Sequence, residues 1–148
     1  MDKPGIQVFD SLAAEYDAWF EKYRFCYESE LRALKTLGGP HRRSLELGVG
    51  TGRFAVPLGI TVGIEPARAM AAIAQERGIQ VIQAMVEALP FPQDSFDLVA
   101  IITALCFFRD PFQALMEATR VLTSSGRILI GMIDKDCPLG RLYEANRL

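Results

Sequence analysis

Seven consecutive residues, Glu46-Leu47-Gly48-Val49-Gly50-Thr51-Gly52, have the types and spacing to hold a ligand. They continue an apolar run, and their three glycines alternate with other residues. Such a loop behind a strand turns sharply and brings backbone close to a ligand, because no Cβ fills the space at Gly48 or Gly50. A helix opening near Gly52 would point its free N–H groups at the same ligand. A dinucleotide loop needs G-x-G-x-x-G/A, in which the last small residue lets the helix pack on the strand. Counted from Gly48 that position falls on Arg53, which fits it poorly. The pattern acid-x-G-x-G-x-G is met at every position from Glu46 to Gly52.

Five short apolar bursts read as strands: residues 44–49, 61–65, 79–84, 96–103 and 127–133. Between them, the alanine-rich segment 67–77 stops at Gly78 and reads as a helix. A second helix spans 111–122, with Asp110 as its cap and Pro111 at the first helical position, where a missing N–H costs nothing. In it Phe112, Leu115, Met116, Thr119 and Leu122 are expected to form one inward stripe. The first forty residues look helical, with Tyr23, Tyr27, Leu31 and Leu34 at helical spacing and Gly38-Gly39-Pro40 ending the run. Strands alternating with helices require crossover connections and a parallel sheet covered on both faces. Segments such as Leu98-Val99-Ala100-Ile101-Ile102 suit burial on both sides. The class is α/β, doubly wound, and ligands in such sheets bind beyond the carboxyl ends of the strands. The glycine loop follows the first strand and lies at that end.

The 148 residues suffice for one domain with a real core. Half are hydrophobic and 23% are charged, which argues against disorder. A net charge of −2, without a Lys/Arg block, gives nucleic-acid binding little support. Cys26, Cys106 and Cys137 are far apart and form no C-x-x-C pair, so neither a disulfide framework nor a zinc or other metal site is expected, and a reducing cytosol is the simplest compartment. They read as three buried or idle thiols. The eleven-residue stretch Leu98–Phe108 is too short to span a bilayer.

The chain resembles the class I S-adenosylmethionine-dependent methyltransferases, and within them the small-molecule branch that includes ubiquinone/menaquinone-biosynthesis-type enzymes. The resemblance is carried by FDSLAAEYDAWFEKY (9–23), LELGVGTGRF (45–54), VGIEP (62–66), VEALPFPQDSFDLV (86–99) and RVLTSSGRILIG (120–131), in that order. It implies a Rossmann-like sheet of order 3-2-1-4-5, with residues 1–40 as a helical cap and 41–148 as the core that binds S-adenosylmethionine.

By that resemblance the cofactor is held by Tyr16, Glu46, Gly48, Val49, Gly50, Gly52, Arg53, Glu65, Pro66, Met70, Met85, Val86, Glu87, Thr103 and Ala104. Glu65 ends the second strand, where its two oxygens can accept both ribose hydroxyls. The acid matching Glu46 helps hold the amino-acid end of the cofactor, and a solvated or helix-capping acid is the plainer alternative. Where the family has an Asp-Ala-Glu run, this chain has Met85-Val86-Glu87. Met85 has no side-chain acceptor for adenine, which is then held by backbone groups and by Met85 and Met70 against the ring. Glu87 either braces its loop or is an exposed acid. Tyr16 is expected beside the cofactor. Trp19 either closes the site or packs a helix on the sheet edge. Thr103 and Ala104 are expected near the transferred methyl, with Trp19, Leu105, Cys106 and Phe107 forming the acceptor pocket. No general base stands out, and His41 belongs to a loop at the other end of the sheet. Methyl transfer mostly needs alignment in a dry site.

The family core usually ends in two further antiparallel strands, and RILIGMI (127–133) would be an apolar edge without them. A homodimer through that edge, a helix in GRLYEANRL (140–148) covering it, or a fragment of a longer chain are the three expectations. The leading reading is transfer of a methyl group to a small molecule. The alternatives are a cofactor-binding but catalytically incomplete or partner-dependent module and, more distantly, an NAD-dependent oxidoreductase.

Overall fold

The structure is a computed structural model that describes residues 5–138, 140 and 141. The helix expected in GRLYEANRL falls mainly on residues 142–148, outside the described residues. Three helices come first: α1 (Ile6–Ser11), α2 (Ala13–Lys22) and α3 (Arg24–Gly38). Then follow β1 (Ser44–Leu47), α4 (Ala55–Leu58), β2 (Val62–Ile64), α5 (Arg68–Glu76) and β3 (Gln80–Ile82). The chain continues through β4 (Phe96–Ile102), a 3₁₀ turn (Leu105–Phe107), α6 (Pro111–Val121) and β5 (Leu122–Gly131).

The five strands form one parallel sheet of order β3-β2-β1-β4-β5, as expected. β1 lies at its centre, buried at every residue. Chain direction reverses across β1: the first two crossovers run outward to β2 and β3, and the third returns to β4. The space beyond the carboxyl ends of β1 and β4 is therefore the topological switch point. Two apolar clusters cover the two faces. On one, Leu98, Ala100 and Ile102 meet Phe20, Leu34, Phe54 and Ala74. On the other, Leu45, Leu47 and Ile101 meet Ala114, Ala118 and Val121. A register shift between Phe96 and Leu98 turns Phe96 to the second face.

α6 begins as its sequence indicates. Asp110 accepts a hydrogen bond from the Gln113 N–H at 3.0 Å, and Pro111 follows it. Its inward stripe is corrected: Ala114, Ala118 and Val121 face the sheet, while Phe112 is 75% and Met116 55% exposed. The sheet takes the alanine face because small side chains let the helix axis come close. Leu115 and Leu122 do pack on that cluster, and Thr119 turns its hydroxyl back to the Leu115 carbonyl. Tyr23, expected within one helical run with Tyr27, Leu31 and Leu34, interrupts it instead. It sits in the break between α2 and α3, whereas Tyr27, Leu31 and Leu34 pack on the core.

β5 starts five residues earlier than the apolar pattern suggests, because Leu122 pairs with Phe96 across the shifted register. α4 opens at Ala55 and not at Gly52, and it is only four residues long. The loop from Gly48 to Phe54 is therefore held by turns and side chains rather than by a helix N-terminus. Among the described residues no helix is long and apolar enough to cross a membrane.

Candidate functional site

The left-handed backbone at Gly48 (φ +71°) and Gly50 (φ +55°) bends the loop after β1 around the carboxyl ends of β1 and β2. A Cβ on Gly48 would lie 2.8 Å from the Ala104 Cβ, and one on Gly50 would lie 3.6 Å from the Tyr16 ring. Both glycines line a cavity of about 1060 Å³.

Glu65 sits one residue past β2 and is almost fully buried. One carboxylate oxygen accepts from the Gly50 N–H and the other from the Ala67 N–H, each at 2.9 Å. These bonds fix both oxygens at the cavity wall and leave lone pairs for a ligand's hydroxyls. Burial raises its pKa, and the two backbone donors oppose that rise.

Glu46 in β1 is 2% exposed, so a solvated or capping role is excluded. Its Oε2 has no hydrogen-bond partner. Burial, then the nearby Glu65 charge, holds its pKa well above the usual carboxylate range. Burial, then the Glu46 and Glu65 charges, push the pKa of the Tyr16 hydroxyl on α2 up, and the Thr103 side chain opposes that rise. Thr103 itself has φ +52°, a conformation a β-branched residue seldom adopts. Its N–H donates to the Gly131 carbonyl at 2.8 Å, which anchors the turn at the end of β4. Such strain, on the order of 1–3 kcal/mol, concentrates at functional sites.

Glu46→Gln is expected to stabilise the folded protein at pH 7.5 by about 1 kcal/mol, since a neutral amide removes the cost of a buried acid. Native Glu46 keeps its proton above the pH where the unfolded chain loses it. The wild type therefore loses stability as pH rises from about 4.5 toward the raised folded value, and the amide variant does not. Denaturant midpoints from pH 4.5 to 8 check this, and parallel curves for the two proteins would refute it.

Of the residues singled out by sequence, Tyr16, Gly48, Gly50, Glu65, Pro66, Met70, Met85, Val86, Glu87, Thr103 and Ala104 all line the cavity, as do Trp19, Leu105, Cys106 and Phe107. Met70 is buried and Met85 partly exposed, one from α5 and one from the loop after β3. Glu87 accepts from the Asp110 N–H at 3.0 Å and so ties its loop to the start of α6. Cys106 and Cys26 are exposed rather than buried, and all three thiols are free.

Four predicted residues of the motif fall outside the cavity lining, the first being Glu46, which is buried within β1. Val49 packs into the space above Gly63, where a Cβ would lie 2.5 Å from it. Gly52 faces Ala74 of α5. Arg53 turns away from the cavity to Asp17 and Glu21 of α2. Arg53 is thus no obstacle to a pyrophosphate. The run Gly50-Thr51-Gly52-Arg53-Phe54-Ala55 also keeps dinucleotide spacing, so the loop alone does not separate the two cofactors.

Sequence reading missed the cavity's outer wall. Ile6, Val8, Phe9 and Leu12 of α1 and its turn line it, and Phe9 meets Phe107 edge-on at 5.1 Å. Asp10 fixes α1 by accepting from the Ala69 N–H in the first turn of α5, at 2.8 Å. Phe54, Phe108 and Met132 also line the cavity.

The family model described as "Methyltransferase domain" matches residues 45–130, more than half of the chain. An uncharacterized protein of Methanocaldococcus jannaschii is 47% identical, over 96% of this chain and 69% of its own length. Uncharacterized mycobacterial relatives are 38% identical, and the chain spans 47% of their length. The ubiquinone/menaquinone biosynthesis C-methyltransferase of Serratia proteamaculans is 32% identical over 93% of this chain and 63% of its own. Among solved structures, a Thermotoga maritima S-adenosylmethionine-dependent methyltransferase, described as a possible histamine N-methyltransferase, superposes with a TM-score of 0.90. It is 45% identical, over 95% of this chain and 68% of its own.

Proposed function

The chain belongs to the class I S-adenosylmethionine-dependent methyltransferases, and we propose that it transfers the methyl group of that cofactor to a small molecule with an apolar body. One observation supports the proposal above the others. The buried carboxylate of Glu65 and the left-handed backbone at Gly48 and Gly50 line the same large apolar cavity.

The residues fit the cofactor. Glu65 would accept from the ribose hydroxyls. The backbone at Gly48 and Gly50 would admit the amino-acid end, and the Glu46 carboxyl, with one oxygen unpartnered, would accept from its ammonium. Met70, Met85 and Val86 would flank adenine, with Glu87 bracing their loop. When bound, the cofactor supplies an electrophilic methyl group on a sulfonium.

The chain's own part is positioning and exclusion of water. Thr103 and Ala104, on a strained turn, set the floor between the two ends of the cavity. Phe9, Leu12, Trp19 and Phe107 would wall the acceptor end. Aromatic faces there would also favour a cation by about 0.5–2 kcal/mol. The Serratia relative's role in ubiquinone/menaquinone biosynthesis and the Thermotoga relative's description as a possible histamine N-methyltransferase are in line with this reading.

Calorimetric titration with S-adenosylhomocysteine tests the cofactor end directly. Saturable binding with a stoichiometry near one is expected. Absence of binding at high micromolar ligand would remove the proposal.

A further inference from the structure

Asp17 lies next to Tyr16 on α2 but faces the other way, beneath the glycine loop. Its Oδ1 accepts from Arg53 Nε at 2.9 Å and from Arg77 Nη1 at 2.7 Å. Its Oδ2 accepts from Arg53 Nη2 and Arg77 Nη2, each at 2.8 Å. Both guanidiniums are thus paired bidentately with one carboxylate, the geometry that makes such bonds strong and directional. Arg77, at the C-cap of α5, also donates to the Thr51 carbonyl at 2.6 Å. The Tyr27 hydroxyl donates to the Arg53 carbonyl at 2.5 Å, and Arg53 also bonds the Asp17 carbonyl and Glu21.

The Asp17 side chain is only 18% exposed, and those of Arg53 and Arg77 are 17% and 28% exposed. Burial pushes the Asp17 pKa up, but the hydrogen bonds from Arg77 and Arg53 outweigh it and hold the carboxyl far below its usual range. The cluster is therefore ionised and closed at neutral pH, and it grips the loop at Thr51 and Arg53.

Neither Thr51 nor Arg53 touches the cavity, yet Gly48 and Gly50, three residues and one residue before Thr51, line it. α4 is too short and begins too late to hold this turn, so side chains join the backbone bonds from Gly48 and Val49 to the Ile64 carbonyl in fixing the loop. On the cavity side, Tyr16 stands over Gly50. The glycine loop is thus clasped between two adjacent residues of α2.

We propose that Asp17 is a positioning residue for the cofactor: through Arg53 and Arg77 it holds the glycine loop in its cofactor-accepting form and makes the order of α2 depend on cofactor binding. The proposal rests on the cofactor reading above. It follows that whatever displaces α2, such as passage of an acceptor, also loosens the cofactor.

Three measurements on the full chain test it. Wild-type chain is first titrated with S-adenosylhomocysteine. Failure to bind overturns the cofactor reading and this proposal with it. Asp17→Asn, isosteric but uncharged, is then titrated at a temperature where circular dichroism shows it folded. A rise in Kd of about tenfold or more is expected, the scale of one lost charged hydrogen bond. A folded Asp17→Asn that binds within about twofold of wild type overturns the proposal. A merely structural role would lower the melting temperature and leave the affinity of the folded protein unmoved.

Amide hydrogen exchange of the wild type provides the readout that needs no variant. S-adenosylhomocysteine should slow exchange in residues 13–22 together with 48–54. Protection of 48–54 with no change in α2 would overturn the coupling, even if Asp17→Asn failed to fold.

Discussion

Glu65→Ala is expected to weaken binding of S-adenosylhomocysteine by about one to two orders of magnitude, the 1.5–3 kcal/mol of hydrogen bonds to a charged group. The carboxylate is the best-fixed polar group in the cavity, because the N–H groups of Gly50 and Ala67 each hold one oxygen. Preorganisation matters here: a ligand hydroxyl meeting it freezes no further rotor. Removing it also leaves two buried N–H groups without acceptors, so some loss of fold stability accompanies the loss of affinity. Glu65→Gln separates the two effects. The amide oxygen still satisfies one backbone donor, but its NH₂ group cannot accept from either a hydroxyl or a backbone N–H. Calorimetry on both variants is the check. An alanine variant that binds as tightly as wild type would place the ribose elsewhere in the cavity.

What could be read in the sequence was local. The parallel sheet followed from alternation, its strand order only from the family resemblance, and the start of α6 from Asp110-Pro111, because a cap and its proline act within three residues. Glu65 was legible as a cavity residue because it ends the apolar burst 61–65, at the end of the sheet where the cavity lies. The phase of α6 was not. Phe112 and Met116 make as good a stripe as Ala114 and Ala118 on apolarity alone, and only packing distance to the sheet decides between them.

The Asp17 clasp was hidden for a different reason. Its partners lie 36 and 60 residues away, and each ion pair becomes visible only once α2 is laid beneath the glycine loop. The strain at Thr103 left no mark at all, since a threonine after a run of isoleucine looks like one more strand residue. The burial of Glu46 was half legible. A carboxylate in the middle of β1 must be buried if β1 is central, but strand position alone did not reveal that its outer oxygen goes unpartnered.

Gly48→Ala is expected to cost about 2–4 kcal/mol of stability and to abolish most cofactor affinity, and the two losses have one origin. At φ +71° any Cβ crowds its own carbonyl, which alone costs about 1–2 kcal/mol. The added methyl would also stand 2.8 Å from the Ala104 Cβ and 3.3 Å from the Phe108 ring. Ala104 cannot retreat cheaply. It follows Thr103, whose strained backbone is tied to Gly131, and it is backed by the 3₁₀ turn 105–107. Relief must therefore come from movement of the glycine loop, which carries Gly50 and its bond to Glu65 away from the cavity wall. Gly78→Ala is the control: Gly78 has φ +89°, but no atom lies within 4 Å of its added Cβ. It should show the backbone cost alone, with cofactor affinity unchanged. Denaturant unfolding and calorimetric titration of the pair measure the difference. Equal destabilisation, with wild-type affinity in both, would show that the contact between Gly48 and Ala104 does not shape the site.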